Sequence, residues 1–409
     1  MRVFRNDRGL LRYILKNSIM TEKKYERYYG LAGKASFENW DSVKASRTCG
    51  CYYCCSIFPS EDVTDADWTP DLHGRTVLCP RCGIDAVIGD ASGIPVREDV
   101  LEELYEEKFR AAVDDGGPSV RVVGSGDYNL DTVVSGGEVV LEEVGGTCGN
   151  VMCILAAMGL EAYPQACLDD SPQGFQIKAD LERYGCDTRF VSNTPDGGTT
   201  LLRVTHRRNP DGTPRTSVWP GAPGGGRFPR RKFLRKRDQA PAFVRQLTSE
   251  FIPDFYFFSD PAAGHRAVAR ELSSMGTTVY FEPHRVTAKA DLECVALSDI
   301  VKFSGENIPD ASFADGFDGK LFIQTDGADG LRYRLRGGEW KALPPVPNGN
   351  VVDTEGAGDW TTAAIIRGIA RSGKKVGQLD EDELVRILTE AQHLASESVS
   401  FMGPKGCIR

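Results

Sequence analysis

Two glycines and three carboxylates stand together in "DTEGAGD", residues 353–359, directly before a stretch with helical spacing of apolar residues. The first amide N–H groups of a helix have no partner within the helix, and glycine lets a phosphate approach the backbone closely. Asp359 can take the proton of an attacking hydroxyl while those amides hold the phosphoryl group. The segment predicts phosphoryl transfer. A simpler interpretation is that Asp353 or Asp359 caps the helix and the glycines form a turn.

A second group of residues that could do chemistry is a cluster of cysteines. Six of the twelve cysteines lie between residues 49 and 82, and four of them form the C-x-x-C pairs Cys51/Cys54 and Cys79/Cys82. Four thiolates on two tight turns match tetrahedral Zn²⁺, so the spacing predicts a closed, structural zinc site. An iron–sulfur cluster or a redox dithiol is the alternative. Other candidate ligands are Cys49, Cys55 and His73.

The composition places limits on the class of protein. The chain has 409 residues, of which 41% are hydrophobic and 26% charged, and its formal net charge is −9. This acidity argues against nucleic acid as the main partner, and no apolar run is long enough to span a bilayer. The basic start, "MRVFRNDRGLLRYILKNSIM", lacks the pattern of a secretory signal. We expect a cytoplasmic protein with no membrane partner, in a reducing compartment that favours a metal over disulfides.

The elements that must position these residues fall into two domains. Residues 1–115 form an N-terminal module that contains the four-cysteine site and a charged helix, "REDVLEELYEEKFRAA". From residue 118 to 409, short apolar runs alternate with helical stretches. That alternation predicts an α/β domain with a mostly parallel sheet covered by helices on both faces.

One segment interrupts the alternation. Residues 198–237 hold a strand, a turn at Asn209–Gly212, a second strand and a basic run, which together predict a small β flap. The basic run either binds a polyanion or forms a solvated face, and the second interpretation is the more common one.

Five stretches of the second domain occur in the order and spacing of a known family. They are "VVGSGDYNLDTVV", "GGTCGNVMCILAAMGLEAY", "QTDGADGLRYRL", "DTEGAGDWTTAAIIRG" and "AQHLASESVSFMGPKG". With them, residues 118–409 resemble the ribokinase-like (PfkB) carbohydrate kinases. The resemblance implies a three-layer sandwich in which the flap at 198–237 is the lid over the sugar. Such lids often form dimer interfaces, so the resemblance also allows a homodimer through the lid.

The resemblance also implies roles for residues. Asp359 is the expected catalytic base, and the amides of Gly356, Ala357 and Gly358 form the expected anion hole for the γ-phosphate. The expected sugar-binding residues are Asn129, Asp131, Gly145, Gly146 and Asn150. The expected nucleotide-binding residues are Thr325, Gly327, Gly330, Thr354, Gln392 and Ser396. For Asn129, Thr325 and Gln392 the alternative is a strand-end or helix-surface position without a ligand.

Three departures from the family pattern concern the metal and the phosphate. The N-x-x-E motif that organises Mg²⁺ in many members is replaced in "KFSGENIPD", where Ser304 and Asn307 stand at its two ends and Glu306 lies one residue out of register. Glu355 stands where a small or hydroxyl residue is usual. Cys148 and Gly149 replace the common small residues before Asn150.

The sequence thus predicts a kinase that uses ATP and Mg²⁺ to phosphorylate a hydroxyl of a sugar, sugar derivative or nucleoside, with structural Zn²⁺ in a separate module. The alternative is a catalytically weak sensor that retains sugar or nucleotide binding and signals through the zinc module. The intact "GAGD" favours the enzyme.

Overall fold

The structure is a computed structural model that describes residues 25–70, 74–105, 119–208, 214–220 and 235–408. The chain divides into two compact units, Met1–Pro118 and Ser119–Arg409. The segment 1–20, His73, the predicted turn at 209–212 and the first four residues of the basic run lie outside the described residues.

The first unit is built from short elements. Its helices are α1 (Tyr29–Ala35), α2 (Trp40–Lys44) and α3 (Glu98–Tyr105), and its strands are β1 (Thr48–Cys51), β2 (Ile57–Pro59), β3 (Trp68–Pro70), β4 (Arg75–Val77) and β5 (Val87–Gly89). Strands β2, β1 and β5 form an antiparallel sheet, and β3 pairs with β4. Val43, Val77, Ile88 and Leu101 are fully buried within this unit, which therefore has an apolar core of its own.

The second unit contains the longer elements. Its strands are β6 (Arg121–Ser125), β7 (Asn129–Ser135), β8 (Glu138–Gly145), β9 (Glu161–Leu168), β10 (Val191–Asn193), β11 (Thr200–Arg208), β12 (Pro214–Pro220), β13 (Phe255–Phe258), β14 (Thr278–Phe281), β15 (Ile300–Ser304), β16 (Leu321–Thr325), β17 (Leu331–Leu335) and β18 (Lys341–Leu343). Its helices are α4 (Thr147–Ala157), α5 (Pro172–Arg183), α6 (Ala240–Glu250), α7 (Ala263–Ser274), α8 (Lys289–Leu297), α9 (Ala357–Ser372) and α10 (Glu381–Ser398).

A nine-stranded sheet forms the centre of this unit, in the order β10-β9-β6-β13-β14-β15-β16-β17-β18. The pairs from β10 through β16 are parallel, and only the last two pairs are antiparallel. The central strands are buried on both faces, as "FYFF" in β13 shows. Helix α9 packs against α4 and α10, whereas α7 packs against α6 and α8, so the helices form two groups. The predicted α/β fold with a mostly parallel sheet is confirmed.

The lid is a separate four-stranded sheet with the order β12-β11-β7-β8. The flap predicted at 198–237 supplies strands β11 and β12. The same sheet also contains β7 and β8, which the sequence did not indicate. These two strands form a hairpin through Gly136 and Gly137, whose positive φ angles of 62° and 92° allow a tight turn. Strand β10 begins only at Val191, because residues 188–190 form a 3₁₀ turn that Asp187 caps.

Among the described residues, none of the helices combines the length and the apolar character that crossing a membrane requires.

Candidate functional site

The start of helix α9 lies at the edge of the sheet where the parallel strands end. A contact with β15 shows this position, since Lys302 donates from Nζ to the carbonyl oxygen of Gly358 over 2.9 Å. That edge is where α/β folds commonly bind ligands. Gly356 caps the helix with φ +82°, and a Cβ there would lie 2.5 Å from Cα of Pro404. Trp360 donates to the Gly356 carbonyl over 2.9 Å, so the amides of Ala357 and Gly358 precede the regular helical ladder.

Neither aspartate of the motif caps the helix, so this part of the simpler interpretation is wrong, whereas Gly356 does lie in a turn. No side chain bonds to the first turn at the cap position. Asp353 instead accepts hydrogen bonds from the amide of Glu355 over 3.1 Å and from the amide of Gly403 over 2.8 Å. Asp359 accepts a hydrogen bond from Asn150. Neither carboxylate therefore occupies the amides at the start of α9, where an anion would bind.

Asp359 is held by a chain of two hydrogen bonds. Asn150 of α4 donates from Nδ2 to Asp359 Oδ2 over 2.7 Å, and Lys405 donates from Nζ to Asn150 Oδ1 over 2.6 Å. Burial, and next the negative charge of Glu282, raise the pKa of Asp359 to about 7, against the opposing effects of Asn150 and the two lysines 302 and 405. A carboxyl group with this pKa suits a general base near neutral pH.

Lys405 is itself part of a buried ion pair. Its ammonium lies 3.3 Å from Glu143 Oε1, and both side chains are at most 2% exposed. Tyr184 donates to the other oxygen of Glu143 over 2.7 Å. The buried charges are thus paired and hydrogen-bonded, which is the condition under which such a pair is tolerated.

A second buried lysine, Lys302 of β15, holds the first turn of α9. In addition to its bond to Gly358, its ammonium contacts a carboxylate oxygen of Glu282 and donates to Thr362 Oγ1 over 2.9 Å. Thr362 donates in turn to the other oxygen of Glu282 over 2.6 Å. This network fixes the position of the helix start relative to the ends of strands β14 and β15.

The expected sugar-binding residues are brought together beside this helix start. Asn129 and Gly145 are paired across β7 and β8, and a Cβ on Gly145 would lie 1.7 Å from Asp131 Oδ2. A Cβ on Gly146 would lie 2.8 Å from Asn129 Nδ2. Asn129 Oδ1 and Asp131 Oδ1 are buried and have no hydrogen-bond partner. Burial raises the pKa of Asp131 to about 6, against the effect of Lys405. Unpaired buried acceptors of this kind fit a polar ligand.

A small pocket lies at the ends of strands β6 and β9. Its lining residues include Gly126, Tyr128, Gln165, Asp260 and His265. Gln165 accepts a hydrogen bond from Ser125 over 2.7 Å, but its Nε2 is buried without a partner. A Cβ on Gly126 would lie 2.7 Å from Cys148 Sγ, so the pocket borders the first turn of α4, which carries Asn150.

Five of the six expected nucleotide-binding residues lie on two elements, and Thr354 lies in the loop before α9. Thr325 ends β16, and Gly327 and Gly330 have positive φ angles of 60° and 95° in the turn to β17. Gln392 and Ser396 lie on α10, which the 3.0 Å ion pair between Arg367 and Glu390 links to α9. Thr354 is exposed. No contact described here links these six residues to Asp359, and their roles remain predictions.

The segment that replaces N-x-x-E does not form a buried metal site. Glu306 and Asn307 are exposed, and Ser304 Oγ accepts a hydrogen bond from the amide of Glu306 over 3.2 Å.

The four cysteines predicted to bind zinc converge in the first unit. Cys51 Sγ lies 3.7 Å from Cys82 Sγ, and Cys54 Sγ lies 3.8 Å from Cys79 Sγ. All four sulfur atoms lie within 4.8 Å of one another. Tetrahedral zinc with bonds of about 2.3 Å requires sulfur–sulfur distances of about 3.8 Å. The donor set therefore fits Zn²⁺.

The other candidate ligands are separate from this cluster. Cys49 is buried, and its Sγ lies 3.9 Å from the Val43 carbonyl oxygen. Cys55 is partly exposed and has a positive φ of 54°. Neither residue belongs to the group of four sulfur atoms.

Sequence reasoning missed the charged residues that support the site. Glu282 directly follows the buried strand β14, and Lys302 interrupts the apolar run of β15. A charged residue within a buried parallel strand, or directly after one, is a signal that could have indicated both. Lys405 stands in the stretch "AQHLASESVSFMGPKG", where its spacing from other charged residues does not indicate its partners. Glu143 carries no such signal, because β8 also has exposed acids.

Comparison with known proteins agrees with this geometry. Residues 277–409 match the pfkB family of carbohydrate kinases. No curated protein matches the sequence significantly. Among solved structures, a fructokinase from Xylella fastidiosa with bound ATP is 17% identical, with a TM-score of 0.56 over 70% of this chain and 94% of that chain.

Two further structures show the same likeness. A fructokinase from Vibrio cholerae O395, bound to fructose, ADP and calcium ion, is 16% identical with a TM-score of 0.55, over 71% of this chain and 96% of that chain. An aminoimidazole riboside kinase from Salmonella enterica, complexed with aminoimidazole riboside and an ATP analog, is 19% identical with a TM-score of 0.52, over 70% and 96%. The chain thus has a ribokinase-like α/β fold, and the sequence of its residues 277–409 is similar to the pfkB family of carbohydrate kinases.

Proposed function

We propose that the protein is an ATP-dependent kinase that transfers the γ-phosphate to a hydroxyl of a sugar, sugar derivative or nucleoside. The observation that carries the proposal is the position of Asp359. Its carboxyl group, with a pKa of about 7, lies in the first turn of α9, next to the amides that begin the helix, of which that of Ala357 makes only a long 3.5 Å hydrogen bond to the Thr354 carbonyl. A hydroxyl is a poor nucleophile at neutral pH, so base and anion hole must act together.

In this proposal Asp359 accepts the hydroxyl proton as the acceptor oxygen attacks phosphorus. The amides of Gly356, Ala357 and Gly358 bind the oxygens of the transferred phosphoryl group. Mg²⁺ neutralises charge on the nucleotide phosphates, as in other phosphoryl transfers. Lys302 and Lys405 touch neither substrate; they position the helix start and Asn150.

The acceptor binds, in the proposal, between the lid and the sheet edge. Asn129 and Asp131 offer unpaired oxygens to acceptor hydroxyls, and Gln165 offers an unpaired N–H at the far end. Hydroxyls that satisfy these atoms are recognised strongly, because an analogue without them leaves buried groups unpaired. The similar kinases act on fructose or on a riboside, and these two classes of acceptor head the substrates to test.

We also propose that Cys51, Cys54, Cys79 and Cys82 bind one structural Zn²⁺. The sulfur–sulfur distances and the absence of an open ligand position among four thiolates support a closed site.

The test of the kinase is acceptor-dependent release of ADP by the purified full chain with ATP and Mg²⁺. A panel of ketoses, aldoses and nucleosides is compared, and ³¹P NMR identifies the new phosphate ester. The matched control is Asp359→Asn, which keeps the shape of the side chain. If the wild type is as inert as this variant with every acceptor, while ligands still raise its melting temperature, the protein is a sensor rather than an enzyme.

A further inference from the structure

The carboxylates around the start of α9 outnumber the lysine ammonium groups that are available to neutralise them. Glu355 and Asp353 directly precede the proposed anion hole, and Asp131 and Asp359 are close enough to influence the ionisation of Glu355. The buried ammonium groups of Lys302 and Lys405 each already pair with another acid, Glu282 or Glu143. Carboxylates beside a phosphate site repel the phosphate unless a cation lies between them.

A histidine from the lid reaches these carboxylates. His206 lies on β11, and its Nδ1 is 3.4 Å from Asp353 Oδ1 while its Nε2 is 3.6 Å from Glu355 Oε2. One ligand atom from each of the three residues lies within 4.8 Å of the others. The three side chains come from segments about 150 residues apart, so only the folded unit assembles them.

An unpaired oxygen within this group provides a further observation. Glu355 Oε2 is buried and has no hydrogen-bond partner. Buried acceptors without a donor are costly, and a bound cation removes that cost.

We propose that His206, Asp353 and Glu355 form a binding site for a divalent transition-metal ion. Two carboxylate oxygens and one imidazole nitrogen are a donor set that suits Mn²⁺, Fe²⁺ or Zn²⁺, whereas alkali cations do not favour a nitrogen ligand. The site differs in chemistry from the four thiolates of the first unit, which prefer softer ions.

The position of the site suggests what the ion does. It joins lid strand β11 to the loop before Gly356, and it offsets the charge of Glu355 next to the anion hole. This role rests on the proposed kinase function, whereas the binding of the ion does not. The site would supply a cation on the protein side of the phosphate, where the exposed Glu306 and Asn307 of the altered N-x-x-E segment do not reach inward.

The experiment is a titration of the full chain with Mn²⁺, followed by electron paramagnetic resonance, without nucleotide or acceptor. Mn²⁺ is the probe because zinc in the four-cysteine site is diamagnetic and not displaced by a hard ion. The variants are His206→Gln and Glu355→Gln. The matched control is His284→Gln, which alters a histidine that is 62% exposed and 4.0 Å from Asp127.

We expect the wild type and the control to bind one Mn²⁺, and each site variant to bind it at least ~10-fold more weakly. Pulsed electron paramagnetic resonance should show coupling of the Mn²⁺ electron spin to ¹⁴N of the imidazole in the wild type. The same coupling should appear in Glu355→Gln at a high Mn²⁺ concentration, and it should be absent in His206→Gln. If His206→Gln does not fold, the wild-type ¹⁴N signal and Glu355→Gln decide the question.

No bound Mn²⁺, bound Mn²⁺ without ¹⁴N coupling, or equal affinity in wild type and Glu355→Gln would overturn the proposal. Acceptor-dependent ADP release is measured separately with Mg²⁺. A chain that binds Mn²⁺ through His206 but transfers no phosphate refutes the kinase and leaves the metal site standing.

Discussion

Asn150 donates to Asp359 over 2.7 Å and thereby joins helix α4 to helix α9, two residues 209 positions apart in the chain. The amide cannot turn around, because its Oδ1 accepts a hydrogen bond from the Lys405 ammonium, which has no acceptor. The N–H of Asn150 must therefore face the carboxylate. A donor in this position favours the ionised form of Asp359, which is the form that acts as a base.

Replacing Asp359 by asparagine should abolish most of the turnover while leaving nucleotide binding. General-base catalysis contributes about 10²–10⁴-fold, so kcat should fall by that factor with little change in the ATP dissociation constant. Steady-state kinetics and calorimetric titration with a non-hydrolysable ATP analogue measure the two quantities. Equal kcat values for variant and wild type would show that Asp359 is not the base.

The rate should depend on pH through the same carboxyl group. Burial raises the pKa of Asp359 to about 7, so the base is protonated and inactive at lower pH and ionised at higher pH. We expect kcat/KM to rise with pH up to about 8 and then to level off. Asn150→Ala removes a donor to the ionised form, so its rising limb should move to higher pH. A flat profile below neutral pH in the wild type contradicts the assignment.

Loss of the Lys405 ammonium should destabilise the second unit strongly. Lys405→Met leaves the buried Glu143 with Tyr184 and the more distant guanidinium of Arg183, 4.0 Å away, and breaking a buried pair costs about 3–5 kcal/mol. Urea unfolding measures the loss in free energy of unfolding. The double variant Lys405→Met/Glu143→Gln removes both charges and should recover part of that loss. No difference between the single and double variants would mean that the pair contributes nothing.

Lys302→Met should lower kcat more than it changes substrate affinity, because Lys302 holds the first turn of α9 through the Gly358 carbonyl. A displacement of a catalytic group by about 1 Å can cost roughly 10²-fold in rate. The matched control is Lys320→Met. Lys320 also donates to two backbone carbonyls, of Ala296 and Ser298, but lies at the opposite end of the strands. Similar kcat values in both variants would exclude a positioning role for Lys302.

Removal of the zinc ligands should affect the first unit alone. Cys79→Ser/Cys82→Ser should lose one zinc per chain by metal analysis, and proteolysis of residues 49–92 should become faster. Because this unit has its own apolar core, we expect loosening of the cysteine segment rather than complete loss of helices. Cys55→Ser is the control, since Cys55 lies outside the group of four. Iron in place of zinc, or no metal in the wild type, contradicts the site.

Much of the fold could be predicted because its signals are local. The runs around Phe257, Tyr280 and Phe303 are apolar on both sides, which is typical of parallel strands buried on both faces. Gly356 needs a left-handed conformation and space beside Pro404, so the glycines of "GAGD" were informative. The two C-x-x-C pairs identified their cluster for the same reason, since the spacing itself sets the geometry.

Glu143 and His206 could not be predicted, because their function depends on partners far along the chain. Glu143 is one of several acids in β8, and only the pairing with Lys405 makes it distinct. His206 lies in a strand whose neighbours are largely polar, and nothing in its spacing indicates Asp353 and Glu355 as partners. The lid was predicted only in part for a related reason, because a sheet gains its other strands through long-range pairing.

Three consecutive residues, Gly403, Pro404 and Lys405, each hold a different part of the site. The amide of Gly403 bonds to Asp353, the carbonyl of Pro404 accepts from Trp360 Nε1 over 2.8 Å, and Lys405 orients Asn150. A growing polypeptide that still lacks these three residues keeps the bond from Lys302 to Gly358 but has no ammonium to orient Asn150. If the protein has the function proposed above, we expect it to transfer phosphate only after residues 403–405 have been added.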